Sequence, residues 1–455
     1  MNNLNIRKLK EYIFKHWVIL IIVLMVLAFI INAIIFFPGY MSNDSILMYY
    51  VARGATPSDL APVMLGFVWK VLYTLTGQIS SILFFQLIML WASLGLLAVY
   101  VYKKTSSKIF SLLCLSIGIL PFVLNLSGVI WRDSHMTFAL ILAISLLLFL
   151  NKIKSKKWKI VLFVLIILLI LYASVSRYNA IIATVPLIFL VIRTSQYVKK
   201  LRWQVVITAL SIPLITLVLF PSINYVMGAT KSNNQPGVLL DDIIRTSKNN
   251  DILRKIEMPK ELFDSFITIQ KCSVEKNILV DNIGFCANND IRITLYENHS
   301  EFQRIWLSVV SNNPVDYIYY KARLFAHVLL PINAYSYIWQ NGIVPNDYGE
   351  TVKFPSFERF GFAYVQMSGR YLRATFEPWF WLILSFVILI LSIRKRNNEH
   401  KLIINTLCIS GIVYILGYIP TGATPDYRYI YWTVLATIFA FVLYRINIYT
   451  NIKIK

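Results

Sequence analysis

Residues 17–37 read WVILIIVLMVLAFIINAIIFF, and residues 38–62 read PGYMSNDSILMYYVARGATPSDLAP. The first stretch carries no charge and matches the ~20 apolar residues that cross a bilayer. It is too long for a leader's apolar core and lacks a small-residue cleavage pattern, so it reads as a retained first span. The second stretch holds two carboxylates, Asp44 and Asp59, with Arg53 between them. An ionisable group at the lip of a membrane is costly unless it is solvated, paired or used. Asp44 is therefore the leading candidate for chemistry.

Similar apolar runs recur along the chain, which is 57% hydrophobic and 15% charged with a mean hydropathy of +0.63. A soluble domain carries about 25% charged residues. The expected fold is an all-α polytopic membrane protein. The net charge of +22 does not point to nucleic acid, because of where it lies. Residues 223–377 hold 16 acidic and 16 basic residues, and 23 of the remaining 28 basic residues fall in six short clusters. These clusters, at 7–15, 103–108, 152–159, 193–202, 394–401 and 445–455, alternate between apolar runs as the positive-inside rule requires. No basic stripe carries base-reading chemistry, so no nucleic-acid partner is expected.

Placing the clusters inside predicts about ten spans, with both termini cytoplasmic. They run over 17–37, 80–102, 109–129 (bent near Pro121), 134–150, 160–176, 180–192, 205–225, 378–393, 402–420 and 429–445. The apolar stretch 63–76, interrupted by Lys70, reads as a re-entrant or juxtamembrane helix on the outer face. The chain divides into an N-terminal transmembrane module (1–225), an extracytoplasmic, mainly helical domain (226–377) and a C-terminal transmembrane module (378–455). Within the domain, 281–299 reads as polar turns, and 302–311 and 315–330 as helices broken at Asn312-Asn313-Pro314. Tyr317, Tyr320, Leu324 and Val328 give the second helix an apolar stripe suited to a membrane surface. The aromatic-rich 336–377 reads either as a lid or as packed structure. Cys272 and Cys286 can pair if the domain faces an oxidising compartment.

Five basic residues remain outside these groups: Arg53, Lys70, Arg132, Arg177 and Arg428. Four acids do likewise: Asp44, Asp59, Asp133 and Asp426. All nine are expected at the outer ends of spans, where their loops would ring one mouth and hold an anionic, partly lipidic ligand. Each also has a plainer reading. Asp44 and Asp59 suit helix N-caps, Arg132-Asp133 a local ion pair, and Arg177 and Arg428 snorkelling beside tyrosines. A guanidinium forks onto two phosphate oxygens and stays charged, which favours Arg177 and Arg428 for phosphate.

At these residues the chain resembles the GT-C superfold of integral membrane glycosyltransferases, which use polyprenyl-phosphate sugars. The likeness is closest to bacterial members. It rests on Pro38-Gly39-Tyr40 with Asp44-Ser45, Asp59 with Pro62, Arg132-Asp133, Arg177-Tyr178-Asn179, and Tyr427-Arg428-Tyr429. It covers spans one to six and the C-terminal spans, and not the domain at 226–377. Many relatives carry Trp-His where this chain has Leu60 and Ala61, so no histidine role transfers. The resemblance implies Asp44 as catalytic base and Asp133 as the second acid. Arg53, Asp59, Arg132, Arg177, Tyr178, Asn179 and Arg428 would bind substrate. It further implies inverting transfer of a sugar to an extracytoplasmic glycan, lipid or protein at the bacterial inner membrane. Some relatives use a divalent ion such as Mg or Mn, which Asp44 and Asp133 could ligate; the sequence requires none. A polymerase or ligase of polyprenyl-linked glycans, and a non-enzymatic transporter of them, are the alternatives.

Overall fold

The computed structural model describes residues 3–59, 61–195, 199–231, 236–247, 251–330, 338–395, 399–422 and 426–454. Among these the regular structure is helical, with isolated bridges and no strands. Seven helices are long and apolar enough to cross a membrane: Tyr12–Phe36, Ser81–Thr105, Arg132–Leu150, Lys156–Ser176, Leu201–Val226, Lys401–Thr421 and Tyr427–Thr450. They fall where spans one, two, four, five, seven, nine and ten are expected. Span three is a pair, Lys108–Ile119 and Pro121–Ser127, bent by 50°. Pro121 lacks the N–H that would continue the first helix and so opens the second. Spans six and eight fall on shorter apolar helices, Ala180–Ser195 and Pro378–Arg394, and the re-entrant candidate on a third, Met64–Thr76. Part of the basic cluster at 394–401, residues 396–398, lies outside the described residues.

Beyond Phe36 the chain enters a clip. Tyr40 N–H donates to the Gly128 carbonyl at 3.0 Å, and Ile130 N–H returns to the Tyr40 carbonyl at 2.9 Å. One residue on, Met41 exchanges bonds with Gly342 and Val344, each at 3.0 Å. Three distant segments are thereby fixed together at the end of the first span. Gly128 makes this possible: a Cβ there would sit 2.1 Å from the Phe36 ring.

The described residues between 236 and 329 form a helical domain with its own core, including Leu240, Ile243, Phe266, Ile269, Phe302 and Ile305. A disulfide joins Cys272 and Cys286. The stretch expected as polar turns instead forms helices Asn282–Cys286 and Asn289–Glu297. Its turn-forming residues act as caps: Asp281 accepts from Gly284 N–H, and Asn288 from Ile291 N–H at 2.9 Å.

The helix Pro314–Leu329 corrects a second expectation. Tyr320, Leu324 and Val328 are buried against protein, so the stripe is not a lipid-facing surface. Lys321 is also buried and pairs with Asp242 at 2.5 Å. The helix is a strut between the domain and the span ends: Leu324 lies where a Cβ on Gly422 would meet it. Within the aromatic-rich segment, described from residue 338, Trp339 is buried against Phe36 and Tyr40. Tyr348 packs on Tyr49 and Tyr50 of the first loop.

Candidate functional site

The helix Asn43–Ala52 starts from Ser42, not from Asp44. Ser42 is held by Trp131, whose Nε1–H donates to its Oγ at 2.7 Å. Asp44 therefore lies in the first turn with its carboxylate free of capping duty. Arg428 Nη1 donates to Asp44 Oδ2 at 2.6 Å, and Arg428 Nε lies 2.9 Å from Asp426 Oδ2. The Arg428 guanidinium also stacks over Trp131 at 4.9 Å and Tyr429 at 5.0 Å.

Asp133 pairs with Arg177, not with its neighbour Arg132. The local ion pair that the sequence offered as the plainer reading thus gives way to one between two span ends. A helix turns successive residues about 100° apart, so Arg132 and Asp133 point in different directions. Arg177 further lies 5.1 Å from the Tyr429 ring. Asn179 Nδ2–H donates to Tyr418 Oη at 2.7 Å. Arg132 has a buried Nη1 with no hydrogen-bond partner among the described residues.

These groups line one cavity of about 400 Å³, within the ~300–1,000 Å³ typical of ligand sites. Asp44, Arg132, Asp133, Arg177 and Arg428 give it a charged wall, and Met48, Leu65, Ile130 and Val238 an apolar one. Tyr178 and Asn179 also line it. Of the nine leftover charges, five reach the cavity and Asp426 braces a sixth position behind Arg428.

The other three do not. Arg53 is exposed, donates to Tyr73 Oη and stacks on Tyr348 at 4.4 Å. Asp59 is outside the lining, with its backbone tied to Thr230 (N–H to carbonyl, 3.0 Å) and to Tyr178, whose hydroxyl donates to its carbonyl at 2.8 Å. Lys70 is exposed on its short helix. Leu60 lies outside the described residues, while Ala61 and Pro62 line the cavity. Sequence reasoning missed Tyr418 and Val238; the only signal for Tyr418 was a tyrosine near Pro420 at a span end.

The arithmetic of pairing is uneven. Among the described residues, Arg428 holds two carboxylates, Arg177 holds one, and Arg132 holds none. Burial by itself would lift the Asp44 carboxyl, but Arg428, Arg132 and Arg177 outweigh it and hold it below the ordinary carboxylate value. Burial lifts Asp426 above that value despite its contact with Arg428. For a divalent ion the donor set does not fit. Asp44 and Asp133 are each engaged by an arginine, and no group of three His, Cys, Asp or Glu suited to a metal occurs among the described residues.

The helices and their apolar lengths define a multi-pass helical membrane protein. No protein-family model, curated protein or solved structure matches the chain.

Proposed function

We propose that the protein is a GT-C-type membrane glycosyltransferase that moves a sugar from a polyprenyl-phosphate donor to an extracytoplasmic acceptor. The observation that carries this reading is the convergence of three arginines and a half-exposed carboxylate on one cavity, where the buried Arg132 Nη1 makes no hydrogen bond among the described residues. A buried guanidinium nitrogen that makes no hydrogen bond is costly. The single negative charge of the donor phosphodiester would offset that cost, and the second charge that appears on the leaving lipid phosphate would offset it further.

In this reading the donor phosphate takes Arg132 first and draws on Arg428. Arg428 keeps Asp426 when Asp44 is released, so freeing the base strands no charge. Asp44 then accepts the proton of the acceptor hydroxyl as that oxygen attacks the anomeric carbon. The bond from that carbon to the phosphate oxygen breaks, and its electron pair leaves on the phosphate. Arg132, Arg177 and Arg428 stabilise the charge that develops there. One displacement inverts the anomeric centre. Ten spans, cytoplasmic termini and an extracytoplasmic cavity in a bacterial inner membrane belong to the same proposal. The basic clusters support it, as does the disulfide, which fits an oxidising side.

The test is sugar transfer from a polyprenyl-phosphate hexose to a cell-envelope extract by purified protein. Transfer by the wild type and its loss in Asp44→Asn is the expected result. Full activity in that variant would remove Asp44 from the role of base. Movement of intact donor across sealed vesicles, with no new glycosidic bond, would overturn the enzyme reading.

A further inference from the structure

A second cavity, of about 750 Å³, lies within the helical domain. It is walled by helices Pro236–Thr246, Lys260–Glu275 and Pro314–Leu329. Arg245, Lys271 and Arg323 line it, against one carboxylate, Glu275. This surplus is local, because residues 223–377 are balanced in charge. Arg245 Nη2 donates to the Ser273 carbonyl at 3.1 Å, but its buried Nε has no partner among the described residues. Lys271 and Arg323 are exposed, and neither makes an ion pair among the described residues. Beside them stands Tyr319, with 58% of its surface exposed. The Cys272–Cys286 disulfide anchors the wall next to Lys271 and Ser273.

The two cavities are neighbours. Val238 lines the first, and Ile244 and Arg245 line the second, on one helix. Six residues of helix span about 9 Å. On the opposite side, a Cβ on Gly422 of the first cavity would meet Leu324 and Val280, which follow Arg323 and Leu279 of the second.

We propose that the second cavity binds an anionic saccharide, its sugar rings carrying phosphate or carboxylate. Resting on the glycosyltransferase reading, this ligand is the acceptor, held within a sugar unit or two of the site of transfer. Guanidinium forks suit either anion, and the exposed lysine and arginine give the approach its charge.

The test uses the full chain in detergent and measures binding without turnover. The probes are an oligogalacturonate, a phosphorylated oligomannose and a neutral maltooligosaccharide of equal length. One or both anionic probes should bind and the neutral one should not; which of the two binds identifies the anion. Lys271→Gln with Arg323→Gln, both on exposed positions, should weaken that binding by about tenfold or more, the scale of losing charge-assisted bonds. Arg132→Gln should leave it unchanged. Equal binding of neutral and anionic probes would overturn the proposal. So would anionic binding that survives the double substitution, or that is lost only with Arg132. Because no sugar is transferred, failure of Asp44 as base leaves this result standing.

Discussion

Arg428 Nη1 donates to Asp44 Oδ2 at 2.6 Å, joining residues 384 positions apart. The same guanidinium holds Asp426 through Nε. Asp44 is thus the partner that can leave: its side chain is 43% exposed, against 13% for Asp426. In the proposed reaction, a base restrained by the cation that also serves the leaving group would be released when substrate arrives.

Asp44→Asn should therefore lower the rate of transfer by ~10²–10⁴-fold, the usual scale of general-base catalysis. Its amide keeps the shape and Arg428 keeps Asp426, so the protein should still express, with a melting temperature lowered only by the loss of the Asp44 charge beside the arginines. Steady-state transfer assays with melting curves of the same samples check both halves.

Arg132 separates function from structure. Its buried Nη1 makes no hydrogen bond among the described residues. Arg132→Gln should leave melting unchanged or raised, while donor-phosphate binding weakens by ~1.5–3 kcal/mol, the scale of a hydrogen bond to a charged group. Titration with a polyprenyl phosphate, alongside a thermal melt, measures the two together.

The pair formed by Asp133 and Arg177 behaves oppositely. The two side chains are 6% and 18% exposed, so removing one leaves a buried charge alone. Asp133→Asn should destabilise by ~3–5 kcal/mol, and adding Arg177→Gln should recover much of that loss. A double-mutant cycle by denaturant or thermal unfolding reads the coupling.

Asp241 gives the domain a pH dependence. Burial lifts its carboxyl from 3.8 to about 6, against the hydrogen bonds it accepts from Asn282 and Asp281. Between those values the folded state holds a proton that the unfolded state has released. The stability this adds is complete below about 4 and is lost as pH rises through 6. Burial shifts Asp242 in the same direction, despite Lys321. Melting of the domain should fall between pH 4 and 7, and Asp241→Asn should flatten that slope.

Much of the architecture was legible because lipid leaves the backbone few options. Runs of about 20 apolar residues must close their hydrogen bonds internally, and only helices do so within one segment. Ser134 to Leu150 could be read that way directly. Pro121 marked its own bend, and Asp44 stood out because charge near lipid demands a reason. The polar domain was less legible. Asp281 and Asn288 looked like turn residues but cap helices, since the same side-chain oxygens serve both ends.

Sequence alone determined the membrane class, the positions of the apolar helices and the short list of charges in need of a role, because local hydropathy and helical length suffice for these. Tertiary structure decided which charges meet. Asp133 passes over Arg132 for Arg177, Arg428 takes both Asp44 and Asp426, and Arg53 turns away to Tyr73 and Tyr348. Pairing depends on distance in space, and contacts across hundreds of residues leave no trace in the local pattern of a single chain.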